Sequence, residues 1–213
     1  MTTHEEAAEQ LRVIRTMMER ATIFRALSGE AALVGGAMSV AAGWLSEGKI
    51  GMKWGGVWLV GLAVVIVFAV WQLLRLSKAN ERPVWSHGLK VALRGALPPL
   101  IAGGFLGLMV LKYGGREPGA VKAELMAASF WVLHYGLALL AIREFAPRSM
   151  VWLGAAFLAT GLAGFACSTF IQSAFPVLNR LGPSGLMAAT FGGFHLLYGA
   201  VIVTTTPRDG PGA

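Results

Sequence analysis

Two histidines that interrupt apolar runs are the residues of this chain whose placement points to chemistry. His134 lies in "FWVLHYGLAL" and His195 in "FGGFHLLYGA", each 11 residues after the start of an apolar stretch. At about 1.5 Å per helical residue, both imidazoles are predicted to lie roughly 16 Å deep in a bilayer core of about 30 Å. Ionisable groups at that depth usually face the interior of a helix bundle and often mark a functional site.

Two histidines on different helices at one depth match the axial ligands of a haem b. The sequence leaves other interpretations open. Each imidazole would instead hydrogen-bond a polar group on a neighbouring helix, or the pair would relay protons; ligation of a chlorophyll-type pigment by one histidine is a further alternative. No GxSxG, HExxH or phosphate-binding loop is present, so no catalytic residue is predicted. The single cysteine, Cys167, rules out a thiolate metal site.

The composition is that of a membrane protein. Of the 213 residues, 55% are hydrophobic and only 14% are charged, compared with about 25% charged in soluble domains. Glycine, with 28 residues, is more frequent in membrane helices than in soluble ones. The net charge of +7 does not indicate a nucleic-acid partner, because the basic residues flank the apolar runs and form no patch of their own. We therefore expect the lipid bilayer as a partner.

Six apolar stretches come close to the roughly 20 residues that a transmembrane helix needs. They cover residues 28–46, 55–75, 93–112, 123–142, 149–171 and 184–204. The sequence therefore predicts an all-α, polytopic membrane protein with a six-helix bundle over 28–205. Pro98 and Pro99 are predicted to kink the third span or delay its start. The tail, 206–213, is predicted to be disordered.

The distribution of lysine and arginine predicts the orientation. With the N-terminus inside, the inner segments carry twelve basic residues and the outer loops six, which favours a multi-pass protein with both termini in the cytoplasm. Trp44, Trp54 and Tyr113 fall near the predicted outer boundary and are expected to form an aromatic belt.

Two cytoplasmic segments are candidates for protein contacts. Residues 1–27 are predicted to form an amphipathic helix, with Leu11, Ile14 and Met18 on its apolar face. This helix would lie on the inner membrane surface, or serve as a docking or dimerisation helix. The polar loop over 76–92 is predicted to be a solvated connector or the contact for a soluble partner. In the first turn of the first span, Glu30 either interacts with the helix dipole or forms a buried ion pair with Arg25 or Arg94.

Small residues at four-residue steps predict close helix packing and a possible homo-oligomer contact. The predicted ladders contain Gly35, Ser39 and Gly43 in the first span, Gly103 and Gly107 in the third, Thr160 and Gly164 in the fifth, and Gly193 in the sixth.

The stretches "RALSGEAALVGGAMSVAAG", "ALPPLIAGG" and "FGGFHLLYGA" resemble bacterial six-span membrane proteins of no established activity, some of them encoded beside winged-helix regulators. The resemblance covers most of the chain and implies a bacterial inner membrane and a regulatory role. We therefore expect a membrane protein without enzymatic activity, a structural or regulatory subunit that acts through partners. The alternatives are a haem b-binding redox protein that uses His134 and His195, and a small pore or carrier.

Overall fold

The computed structural model describes residues 29–79, 84–85, 87–114, 123–144, 146–169 and 176–205, and these contain helices but no strand. The α-helices are α1 (Gly29–Ser46), α2 (Gly51–Ala79), α3 (His87–Tyr113), α4 (Ala123–Ala141), α5 (Arg148–Thr169), α6 (Pro176–Met187) and α7 (His195–Thr205). A π-helical segment, Ala188–Phe194, connects α6 to α7. The amphipathic helix predicted over 1–27 and the tail at 206–213 lie outside the described residues.

Five helical stretches are long and apolar enough to cross a membrane. They are Gly51–Ala79, Leu89–Tyr113, Ala123–Ala141, Arg148–Thr169 and Arg180–Thr205. The last of these, here called the final span, runs through the end of α6, the π-helical segment and α7. Each of the five overlaps an apolar stretch that was predicted from the sequence. The helix α1, which has 18 residues and carries Glu30 in its first turn, is not among them.

The helix α1 nevertheless packs antiparallel along the final span, through glycines spaced seven residues apart. A methyl group added to any of these glycines would come within 3 Å of a facing side chain: Gly29 with Val203, Gly36 with Leu196 and Gly43 with Ala188. Gly192 and Gly199 provide the same close approach from the other side, toward Val40 and Leu33. A seven-residue repeat keeps one face toward the partner helix in a left-handed crossing, the commonest geometry in membrane bundles.

In a second group of helices, α3 and α5 pack on two sides of α4. Gly103 and Gly107 of α3 lie directly against His134 and Trp131 of α4. On the other side, a methyl group at Gly136 would lie 2.5 Å from the Leu158 backbone of α5. Glycine lets the helix backbones approach this closely because no Cβ separates them. As a result, α4 carries several fully buried residues, including Ala127, Ala128 and Val132.

The helix α2 is attached mainly at its two ends. Trp54, Gly55 and Trp58 are buried at one end and Gln72 at the other. Between them, large apolar side chains such as Val60 and Val67 are more than 60% exposed. This middle section of α2 therefore presents apolar surface on most of its circumference.

Two features of the third span differ from the sequence prediction. The helix α3 begins at His87 and continues through Pro98 and Pro99, which lie inside it and do not delay its start. Proline is tolerated within membrane helices because neighbouring groups satisfy the freed backbone carbonyls. Since α2 ends at Ala79 and α3 begins at His87, much of the loop predicted over 76–92 is helical, and the connection is shorter.

The small-residue ladders are shifted by one residue at several places. Gly35 would reach only Val65, at 3.7 Å, whereas Gly36 makes the close contact with the final span. Gly193 has nothing within 4 Å, and its neighbour Gly192 lies against α1. Thr160 is partly exposed and bonds its own helix at Ala156, while Gly161 packs on Leu133. Paired glycines such as 35–36 and 192–193 fit two ladders, so spacing alone does not select the buried one.

Candidate functional site

The centre of the candidate site is a hydrogen bond between the side chains of Tyr135 on α4 and His195 on α7. The Tyr135 hydroxyl lies 2.7 Å from Nε2 of His195, and Nδ1 of the same ring lies 2.9 Å from the Phe191 carbonyl oxygen. A carbonyl can only accept, so Nδ1 carries the proton in this arrangement. In the neutral imidazole, Nε2 is then the acceptor and Tyr135 donates to it.

Aromatic rings surround this hydrogen bond. Phe157 contacts both Tyr135 and His195 edge-on, with ring centroids 4.8 and 5.4 Å away. Phe191 is 5.0 Å from Tyr135 and stacks nearly parallel to His195. Phe194 completes the set at 5.3 Å from Phe157. Apolar rings around a polar pair keep water away from it, so each partner depends on the other for its hydrogen bond.

The π-helical segment determines how His195 meets Tyr135. It ends at Phe194, directly before the histidine. A π-helix bonds i to i+5, so it rotates the side chains that follow it relative to a continuous α-helix. Two side chains satisfy carbonyls in this region: Thr190 donates to Leu186 over 2.8 Å, and His195 donates to Phe191. The sequence did not predict this π-helical segment, although Gly192 and Gly193 lie just before a histidine within an apolar run.

His134 packs against a different helix from His195. Its Nδ1 lies 2.8 Å from the Phe130 carbonyl of its own helix, and its ring rests on Gly103 of α3. Because neighbouring helical residues point about 100° apart, the side chain next to Tyr135 cannot face the same way. His195 Nε2 is already bonded to Tyr135. The two histidines therefore do not form the axial pair that the haem interpretation requires, and these residues do not fit a bis-histidine site.

A second polar cluster joins the ends of α1, α2 and α6. The Ser184 hydroxyl accepts a hydrogen bond from Trp54 Nε1 over 3.0 Å and lies 2.9 Å from the Ser46 hydroxyl. Trp54 is fully buried and stacks on Trp131 at 5.6 Å. The prediction that Trp54 belongs to an exposed aromatic belt is therefore wrong. Trp44 and Tyr113 are 80% and 68% exposed, as belt residues would be.

Two carboxylates lie at helix ends. Glu124 in the first turn of α4 accepts a hydrogen bond from the Gly51 backbone over 2.5 Å. Glu30 in the first turn of α1 accepts one from Gln72 of α2 over 3.1 Å. Within the described chain Glu30 makes no ion pair with Arg94, and Arg25 lies outside it. The Glu30–Gln72 contact was not predicted, because their spacing in sequence carries no signal of proximity.

The described residues contain no group of three or more His, Cys, Asp or Glu side chains that would hold a metal ion. Cys167 is buried within α5. Searches of protein-family models, of curated proteins and of solved structures found no match to this chain.

Proposed function

We propose that the chain is an integral membrane protein with six spans, namely α1 and the five candidate spans that follow it in the chain. The supporting observation is the antiparallel contact of α1 with the final span, from the Gly29–Val203 contact at one end to the Ser46–Ser184 contact at the other. At about 1.5 Å per residue α1 is roughly 27 Å long, close to the thickness of a bilayer core. A glycine-rich helix that is less apolar than its neighbours can insert when it is packed against one of them.

Both termini are proposed to lie in the cytoplasm, with the protein in a bacterial inner membrane. The support is the excess of basic residues in the segments that an even number of spans places inside. The opposite directions of α1 and the final span agree with an even number of spans, which puts both termini on the same side of the membrane.

The proposed role is that of a structural or regulatory subunit that acts through a partner protein. The support is the use of the interior polar side chains: the Tyr135–His195, Trp54–Ser184 and Gln72–Glu30 contacts each join two helices of the bundle. These pairs are used to fix the helices relative to one another. Of the five candidate spans α2 is the least buried, so its exposed middle section is the proposed surface for a contact within the membrane.

A photo-crosslinking amino acid at Val67 tests this role in native membranes at native expression. Val67 is 68% exposed on α2, and Trp152, 75% exposed on α5, is the matched control position. We expect one protein adduct of discrete mass at Val67 and none at Trp152. An adduct of twice the mass of the chain would identify the partner as a second copy. Lipid adducts alone at both positions would contradict a role through partners at this surface.

A further inference from the structure

A stripe of exposed side chains runs along the helix α3 on the face turned away from α4. At steps of three or four residues, which keep them on one helix face, its members are Lys90, Arg94, Leu97, Ile101 and Phe105. Gly103, by contrast, packs on His134 of α4. Ile101 lies two residues before Gly103, hence about 200° around the helix. The stripe therefore faces the surroundings of the bundle.

The two cations of the stripe have no anion beside them. Lys90 and Arg94 lie one helical turn apart and are both exposed, and neither is paired with another described residue. The helix α3 contains no acidic residue. Like charges at this spacing repel each other, so an anion that contacts both side chains relieves the repulsion. This end of the stripe is therefore suited to an anionic group.

The same turn of α3 carries a backbone acceptor that has lost its helical donor. Pro98 and Pro99 lie inside the helix and have no N–H, so the carbonyls of Arg94 and Gly95 receive no bond from four residues on. No described side chain donates to either carbonyl. Pro98 is exposed, as Arg94 is, whereas Gly95 packs on Ala141 of α4. The Arg94 carbonyl is therefore the acceptor on the exposed face.

A ligand that fits the whole stripe needs an anion, a hydroxyl donor and an apolar tail. Arginine and lysine near the bilayer surface attract anionic lipids, and their bonds to phosphate are charge-assisted. We propose that the stripe binds one anionic phospholipid with headgroup hydroxyls, of the phosphatidylglycerol type. Its phosphate lies between Lys90 and Arg94, a headgroup hydroxyl donates to the Arg94 carbonyl, and an acyl chain follows the apolar part. Next to Ile101, Gly104 leaves open space for that chain.

This lipid site is independent of the two proposals made above. It lies on α3, away from the middle section of α2, and it does not require α1 to span the membrane. The proposed orientation places it in the cytoplasmic leaflet, but lipid binding by the purified chain does not depend on that orientation. Failure of one proposal therefore leaves the others in place.

The test counts the lipids retained by the full chain in native mass spectrometry from detergent micelles. The chain is titrated with phosphatidylglycerol or with phosphatidylcholine of the same acyl chains. We expect one phosphatidylglycerol to bind saturably at concentrations where phosphatidylcholine does not. The double variant Lys90→Gln and Arg94→Gln should bind it about 30-fold more weakly. The matched control, Arg75→Gln and Lys78→Gln, removes two exposed cations from the adjoining end of α2 and should bind as the wild type does.

A second pair of variants tests the role of the Arg94 carbonyl. Phosphatidylmethanol has the charge of phosphatidylglycerol but no headgroup hydroxyl, so the wild type should bind it about fivefold more weakly. Pro98→Ala restores an N–H to the Arg94 carbonyl and should bind the two lipids equally. Pro99→Ala, the matched control, restores one to the Gly95 carbonyl on the side of α4 and should keep the preference.

Three results would overturn the proposal, with thermal unfolding verifying that each variant is folded. The first is equal binding of phosphatidylglycerol and phosphatidylcholine by the wild type. The second is equal phosphatidylglycerol binding by the two double variants, because net charge alone would then explain it. The third is competition by glycerophosphoglycerol, the headgroup without acyl chains, at the concentration of the lipid, because the site would then take a soluble phosphodiester.

Discussion

Tyr135 donates a hydrogen bond to Nε2 of His195 across the contact between α4 and α7, with the two atoms 2.7 Å apart. The acceptor ring packs against Phe157 and Phe191, and no other donor of the described chain bonds its Nε2. This bond connects the group of helices around α4 to the final span, and hence to α1, which packs on that span.

Replacement of Tyr135 by phenylalanine removes the donor and leaves Nε2 of the partly buried His195 unpaired. We expect a loss of about 1–3 kcal/mol in the free energy of unfolding. The measurement is reversible unfolding in mixed micelles. Tyr113→Phe is the control, because Tyr113 is exposed at the end of α3. Equal stability of the two variants would show that the Tyr135–His195 bond does not hold the helices together.

Gly36 tests the contact between α1 and the final span. A methyl group there would lie 2.8 Å from Leu196 Cγ and 3.0 Å from the Gly192 carbonyl oxygen, so the helices must separate. Gly36→Ala should cost about 1–3 kcal/mol. Gly56→Ala, on α2 with nothing within 4 Å, should be neutral or slightly stabilising because alanine favours the helix. If both substitutions have the same effect in an unfolding titration, α1 is not packed through this face.

Gly164 lies where α5 meets both α4 and α6. A methyl group would fall 2.6 Å from the Ser129 hydroxyl and 3.2 Å from Leu186. Gly164→Leu should therefore destabilise the bundle by several times the effect of Gly193→Leu, whose position is open. Melting temperature and elution volume of the two variants in one detergent provide the comparison. An unchanged melting temperature for Gly164→Leu would mean that this face of α5 contacts lipid and not another helix.

Ser184 tests the polar cluster at the other end of the bundle. Its hydroxyl is the acceptor for Trp54 and lies beside Ser46, so Ser184→Ala leaves the buried indole N–H unpaired. We expect a cost of about 1–3 kcal/mol. Ser39→Ala is the control, because Ser39 bonds only Gly35 of its own helix. In the background of Trp54→Phe, the effect of Ser184→Ala should shrink, and an unchanged effect would show that the two residues are not coupled.

The helices could be predicted from the sequence because each apolar stretch is local. The contacts between helices could not. In a glycine-rich helix, glycines fit both a four-residue and a seven-residue spacing. The sequence therefore does not show that Gly36, and not Gly35, makes the close contact. The burial of Trp54 depends on Ser184, which is distant in sequence. His134 and His195 stand out in the sequence because they interrupt apolar runs. The π-helical segment before His195 has no simple sequence pattern, so the contact of His195 with Tyr135 could not be predicted.

The measurement that tests the central proposal most directly is the location of the connection between α1 and α2. A reporter that is active only in the periplasm, inserted after Gly48, should be active, because α1 is proposed to carry the chain across the membrane. The same reporter inserted after Trp85, between α2 and α3, should be silent. Silence after Gly48 would mean that α1 does not span, leaving a five-span protein and contradicting the pairing of α1 with the final span within the bilayer.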